Sequence, residues 1–122
     1  MLPVKVTDSG VLIVRLQADL DIDGRAAAAW AIDGLLAAHR SCPVVLELSD
    51  GAVSSAAVST VVRASRMCAD ADVPFAVAAP GAEARRALEA EVGAAGCAPR
   101  VHADALRAVA ALSPLPEVAV AA

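Results

Sequence analysis

Aromatic side chains are almost missing from this chain of 122 residues, which has one Trp, one Phe and no Tyr. Proteins that bind single-stranded nucleic acid stack bases on aromatic rings, and those that bind duplexes present clustered basic residues. Here the ten Lys and Arg residues are scattered and the net charge is −4. These features argue against a nucleic-acid binding surface, and we expect no nucleic-acid partner.

Long hydrophobic runs are also absent. No window approaches ~20 uninterrupted apolar residues, and no apolar stretch follows a basic segment at the N-terminus. We therefore expect no signal peptide, no membrane insertion and a cytoplasmic location. The three cysteines, Cys42, Cys68 and Cys97, are spaced too widely for a zinc motif and suit core packing. The alternative for them is a redox-sensing disulfide between Cys68 and Cys97.

The common catalytic motifs are missing. The sequence has no GxxxxGKS, no GxSxG and no HExxH, and its two histidines, His39 and His102, lie far apart. Asp19, Asp21 and Asp23 cluster at one strand end, but without the glycine and glutamate of a calcium loop. We expect no metal site, no cofactor and no enzymatic activity.

Small apolar side chains dominate what is present. Hydrophobic residues make up 58% of the chain, which contains 32 alanines and 17 valines. A chain of this length and composition buries enough surface for one globular domain. We predict a single domain over residues 1–113, followed by a loose, proline-punctuated C-terminal tail over 114–122.

The hydrophobic pattern predicts strands that alternate with helices after an opening hairpin. In the first predicted helix, Trp30, Ile32, Leu35 and Leu36 recur at helical spacing. Because parallel neighbours need a crossover connection, the order predicts an α/β fold: a mixed, mostly parallel sheet opened by a β-hairpin, with about four helices packed against it. The predicted elements are a hairpin of 2–7 and 11–16, helices at 26–38, 55–71, 82–92 and 105–112, and strands at 44–48, 73–79 and 100–102.

Two adjacent serines, Ser54 and Ser55, stand between a predicted buried strand and the second predicted helix. A serine at this position commonly caps the helix by accepting a hydrogen bond from a backbone N–H group. A helix N-terminus also tolerates a phosphate, so phosphorylation by a kinase is the alternative role.

The order of elements and several local strings over 11–112 resemble the STAS domain, the family of sulfate transporters and anti-sigma factor antagonists. The family pattern of a strand, Gly-Glu-Leu-Asp and a helix is similar to the stretch 11–21, where Ala18 replaces the glycine and Asp21 matches the aspartate. Leu48-Ser49 resembles a family strand that ends in Leu-Ser. Residues 77–80 and 84–88 resemble a strand with a proline turn that is followed by Val-Arg-Arg-Val-Leu. The soluble anti-sigma factor antagonists are the most similar type.

The family's switch motif is Asp-Ser-Ser-Gly-Leu-Gly at the start of the second helix, where an anti-sigma factor kinase phosphorylates the first serine. Residues 54–59 resemble it, with Ser55 in the acceptor position, while a shift by one residue makes Ser54 the acceptor. Ser54, Ala56 and Ala57 stand where the family has Asp, Ser and Gly.

The resemblance also implies a docking surface for that kinase, formed by the second helix and the loops beside it. Its side chains are mostly small, which permits close approach of a partner. The residues it assigns to partner binding are Asp21, Ala52, Ser54, Ser55, Ala56 and Ser59.

The main functional hypothesis is therefore a cytoplasmic binding module of bacterial signalling. It resembles an anti-sigma factor antagonist that docks a serine-kinase anti-sigma factor, controls transcription by releasing a sigma factor, and is switched off by serine phosphorylation. The alternative is a STAS subunit or scaffold of a transport or lipid-trafficking complex, with no phosphorylation switch. The sequence leaves the oligomeric state open.

Overall fold

A computed structural model describes residues 3–39, 42–96 and 99–112 of the chain. Five strands and four helices alternate after an opening pair of strands, as the hydrophobic pattern predicts. Within these residues no helix is long and apolar enough to cross a bilayer. The elements are β1 (Val4–Val6), β2 (Leu12–Leu16), α1 (Ile22–Ala38), β3 (Val44–Leu48), α2 (Ser55–Asp70), β4 (Phe75–Ala78), α3 (Ala82–Ala94), β5 (Arg100–His102) and α4 (Ala105–Leu112).

The strands form one sheet in the order β1-β2-β3-β4-β5. β1 and β2 pair antiparallel through a tight turn in which Gly10 has a φ of 86°, a conformation that suits glycine. The other neighbouring pairs are parallel, because each connection passes through a helix. The predicted mixed, mostly parallel sheet opened by a hairpin is confirmed.

The helices cover the two faces of the sheet unequally. α1, α2 and α3 pack on one face, where Ile32, Val61 and Leu88 meet alternate residues of the central strands. α4 packs on the opposite face, with Ala108 buried in a smaller cluster that includes Val45. The larger core thus lies beneath α2, the helix that begins at Ser55.

α1 differs from its prediction in length and in orientation. It begins at Ile22 rather than Ala26, because the side chain of Asp21 caps it by accepting a hydrogen bond from the Gly24 N–H group. Trp30 is 81% exposed, whereas Ala28 and Ile32 are buried. Residues two apart point about 200° apart around a helix, so a helix that buries Ile32 turns Trp30 outward.

The other bounds need small corrections. β4 is shorter than predicted at both ends, α2 ends one residue earlier, and α3 continues to Ala94. β3 and β5 have the predicted bounds. The predicted tail over 114–122 lies outside the described residues.

Candidate functional site

The connections after β2 and β3 meet at one edge of the sheet. Both strands are parallel, so their carboxyl ends lie side by side, and the loops leading to α1 and α2 start together. Three hydrogen bonds join the loops: the Ser49 N–H group donates to the Leu16 carbonyl at 3.0 Å, the Ala18 N–H group to the Ser49 hydroxyl at 2.9 Å, and the Ser54 N–H group to the Ala18 carbonyl at 2.8 Å. This contact brings the acidic loop 19–23 next to the serine pair.

Ser54 is the N-cap of α2. Its hydroxyl accepts a hydrogen bond from the Ala57 N–H group at 3.1 Å and donates one to the Leu20 carbonyl at 2.5 Å. The side chain is half-buried. Because the hydroxyl is engaged both as donor and as acceptor, its role is to start α2 and to tie it to the acidic loop.

Ser55 is the first residue of α2, and its side chain is exposed. Within the described part of the chain, its hydroxyl has no hydrogen-bond partner. Of the two candidate phosphate acceptors, Ser55 is therefore the one that a second protein can reach without breaking a hydrogen bond.

Two shallow depressions flank Ser55. One, of about 520 Å³, lies toward α1 and is lined by the three carboxylates of the acidic loop, Asp19, Asp21 and Asp23. The other, of about 470 Å³, lies between α2 and α3, where Ala87 and Ala90 provide a small apolar wall beside Glu91. A partner that covers Ser55 contacts three carboxylates on one side and, on the other, mainly small apolar side chains with one glutamate.

Asp21 has a structural role in addition to its charge. Its Oδ1 accepts a hydrogen bond from the Gly24 N–H group at 2.6 Å, while the side chain stays exposed. A Cβ atom on Gly24 would lie 2.9 Å from Leu20 Cδ1 and 3.1 Å from Asp21 Oδ1, so only glycine fits this turn without displacing the carboxylate. In the part of the chain that the structure describes, no group of His, Cys, Asp or Glu side chains is arranged to hold a metal ion.

Most of the sequence-predicted docking residues are accessible to a partner. Asp21, Ala52, Ser55 and Ser59 are exposed, and Ser54 is half-buried. Ala56 departs from the prediction: its side chain is 4% exposed, because the second position of α2 faces the core. The apolar edge formed by α3 was missed, since residues 87–90 are more than thirty positions away and no local motif links them to Ser55.

Replacement of Ser54 by Ala is expected to lower the free energy of unfolding by about 1–2 kcal/mol, since it removes a helix cap and a hydrogen bond between loops. Replacement of Ser55 by Ala is expected to change it by less than about 0.5 kcal/mol, because that side chain is exposed. Urea unfolding followed by circular dichroism compares the two variants. Equal losses would contradict the assignment of Ser54 as the cap.

Cys68 lies on the buried side of α2, where it packs in the core as a small apolar residue and is 1% exposed. It is a free thiol, and burial raises its pKa from 9.0 to about 11. The thiolate is the reactive form, so this cysteine is protected against oxidation and alkylation. The other half of the alternative disulfide, Cys97, lies outside the described residues.

We expect the Cys68 thiol to react with a disulfide reagent at pH 8 only after the chain unfolds. The raised pKa also makes stability depend on pH: the unfolded thiol loses its proton near pH 9 and the folded one near pH 11, so this contribution to stability falls across that interval. The measurement is the unfolding free energy at pH 8 and pH 10, compared with a Cys68→Ala variant. If the unfolding free energy falls equally in the Cys68→Ala variant, the pH dependence does not come from the Cys68 thiol.

A solved structure and a family model relate the chain to known proteins. The NMR structure of the protein TM1081 has a similar fold, with a TM-score of 0.67 and 20% sequence identity, covering 91% of this chain and 86% of that one. The search of curated proteins found no match. The family model of the STAS domain matches residues 3–91. Since that match spans well over half of the sequence, this chain belongs to the STAS domain family.

Proposed function

We propose that this STAS domain is a regulatory binding module of the anti-sigma factor antagonist type. The surface around Ser55 docks a serine-kinase anti-sigma factor, and phosphorylation of Ser55 by that kinase ends the interaction. The observation that carries the proposal is the different environment of the two serines. The hydroxyl of Ser54 caps α2, whereas the side chain of Ser55, the next residue, is exposed to solvent.

The position of Ser55 suits a transferred phosphate. In the transfer, the Ser55 oxygen bonds to the γ-phosphorus of ATP held by the partner kinase, the bond to ADP breaks, and the hydroxyl proton leaves to a base of the kinase. Ser55 lies in the first turn of a 16-residue helix, where the helix dipole favours a negative group. The neighbouring carboxylates of Asp21 and Asp23 oppose that charge, so the phosphate is directed outward, toward the partner.

The surroundings of Ser55 explain why a phosphate would release a partner. The surface carries small side chains, Ala52 and Ser59 among them, which allow a partner to pack closely. A phosphoserine adds three oxygens and up to about two negative charges at the centre of such a contact. Close packing is then lost, and the desolvation of the phosphate makes binding unfavourable.

The test is capture of partners by the full chain from an extract of its own cells, with and without ATP. We expect a serine-kinase anti-sigma factor to bind, and to be released with ATP as phosphate appears on Ser55 in the mass spectrum of the bait. A Ser55→Ala variant should retain the partner in the presence of ATP. The matched control is Ser59→Ala, which changes an exposed serine one turn further along the same helix and should leave release intact.

Two outcomes would overturn the proposal. Phosphate on Ser54 with Ser55 unmodified would move the switch to the capping residue. Capture of transport or lipid-trafficking components by an unmodified bait would establish the alternative, a STAS subunit without a switch. The departures from the family motif at Ala56 and Ala57 agree with that alternative.

A further inference from the structure

A cavity of about 480 Å³ lies between the C-terminal ends of α1 and α2. Because each of these helices runs back between two parallel strands, the cavity lies at the edge of the sheet where β3 and β4 begin, opposite the edge that carries Ser55. We call it the α1–α2 cavity. Its apolar lining comes from both helices and the segment after α2: Leu36, Ala37, Met67, Cys68, Ala71 and Val73.

The walls of the α1–α2 cavity are held by the helices and by the turn that ends α2. The Val73 N–H group donates a hydrogen bond to the Cys68 carbonyl at 2.8 Å, which closes this turn. Cys68 is fully buried, whereas the side chains of Leu36, Met67 and Val73 are only half-buried. An apolar lining and a volume between roughly 300 and 1,000 Å³ are typical of sites for small molecules.

Asp33 supplies the cavity with an unsatisfied hydrogen-bond acceptor. Its Oδ2 accepts a hydrogen bond from Arg63 Nη2 at 3.1 Å, whereas its Oδ1 is buried and has no hydrogen-bond partner in the described chain. Buried polar atoms normally have a partner, because removal from water without one is unfavourable. The Asp33 side chain as a whole is 35% exposed, so a ligand in the cavity reaches the carboxylate.

The charges around the α1–α2 cavity favour a neutral ligand. The ion pair with Arg63 already balances the charge of Asp33, so a buried ionic ligand would lose its hydration without gaining an unpaired opposite charge. The free acceptor requires a donor from the ligand. Among the described lining residues, His39 is the other one with a strongly polar side chain, and its ring can donate or accept a hydrogen bond. A hydroxyl group can serve both residues, because it donates and accepts.

We infer that the α1–α2 cavity binds a small neutral molecule with an apolar body and one hydroxyl group. The body packs against Leu36, Met67 and Val73, and the hydroxyl donates a hydrogen bond to the Asp33 carboxylate. The ligand class is therefore that of the apolar alcohols and phenols. This inference does not depend on the role of Ser55, because the cavity lies at the opposite edge of the sheet.

Benzyl alcohol is a suitable probe, because it combines an apolar ring with one hydroxyl group. In a titration of the isotope-labelled full chain followed by NMR, we expect saturable shifts of the backbone signals of residues 33–39 and 67–73. The expected dissociation constant is about 0.1–1 mM, since a ligand of this size makes few contacts.

Toluene is the control for the hydroxyl group, since it has the same ring without a donor. We expect it to bind about 10-fold more weakly than benzyl alcohol, the loss of one hydrogen bond to a charged group. An Asp33→Ala variant should bind benzyl alcohol as weakly as toluene and leave the affinity for toluene unchanged. Arg63 is exposed and stays hydrated without its partner, and the unfolding midpoint of the variant checks that the fold is kept.

Two neighbouring alanines of α1 provide a matched pair that locates the probe. Both are exposed, but Ala37 lines the cavity and Ala38 does not. Ala37→Leu should occupy part of the cavity and weaken binding of both probes at least about 10-fold, whereas Ala38→Leu should leave binding unchanged. Neither change should lower the unfolding midpoint, because leucine is a good helix former and both positions lie outside the core.

The inference is overturned if benzyl alcohol causes no saturable shifts in these two segments up to its solubility limit. It is equally overturned if benzyl alcohol and toluene bind with the same affinity, or if Asp33→Ala leaves the difference between them intact, since the hydroxyl group would then not be recognised by Asp33. Unchanged binding by Ala37→Leu would place the probe outside the cavity and would contradict the inference as well.

Discussion

Replacement of Leu88 by Ala is expected to lower the free energy of unfolding by about 2–5 kcal/mol, the cost of removing a buried leucine and leaving a cavity. Leu88 is the central buried residue of α3 and is fully shielded from solvent in the larger core. A domain of this size is stable by only about 5–15 kcal/mol, so the variant loses a large share of its stability. Chemical denaturation in urea measures the difference.

The chain offers a matched control in Leu106. It is also a leucine within a helix, α4, but its side chain is 80% exposed. Leu106→Ala has the same change in helix propensity as Leu88→Ala without a cavity, and we expect a change below about 0.5 kcal/mol. Similar losses in both variants would mean that α3 does not pack on the sheet as described.

If the proposed function holds, replacement of Ser55 by Glu is expected to weaken binding of the proposed anti-sigma factor partner by about 100-fold, or about 2.7 kcal/mol, the scale of a residue at the centre of an interface. The physical reason is the combination of added bulk and charge at the position where we propose that the partner packs closely. The folded domain should keep its stability, because an acidic side chain in the first turn of a helix is favoured by the dipole. Isothermal titration calorimetry with the purified partner measures the affinity.

Ala110→Glu is the control for charge alone. Ala110 is exposed on α4, which packs on the face of the sheet opposite α2, so the same net charge is added far from Ser55. We expect its affinity to match that of the unmodified chain. Equal weakening by both variants would show that net charge controls the interaction and would contradict a contact centred on Ser55.

The elements that the sequence predicted best are those with strong local signals. β3 is a continuous apolar run between Pro43 and a Ser-Asp-Gly turn, and its predicted bounds are those of the structure. α1 was predicted least well, because seven of its 17 residues are alanine and its two faces differ little in hydrophobicity. The exposure of Trp30 follows from the packing of Ile32 against the sheet, and a helical projection centred on Ala28 and Ile32 would have indicated it.

Local sequence also predicted some features of the candidate site, and the tertiary structure determined the others. The sequence by itself determined that a hydroxyl pair begins α2 and that a carboxylate begins α1, because capping depends on the few residues around a helix start. The sequence also indicated the STAS family, because local hydrophobic patterns predict the order of strands and helices. Only the tertiary structure shows which of the two hydroxyls is hydrogen-bonded and which is exposed. Ser54 is engaged because its hydroxyl reaches the carbonyl of Leu20, 34 positions earlier in the chain, and that contact exists because β2 and β3 pair in parallel. Ser55 is left exposed by the same arrangement.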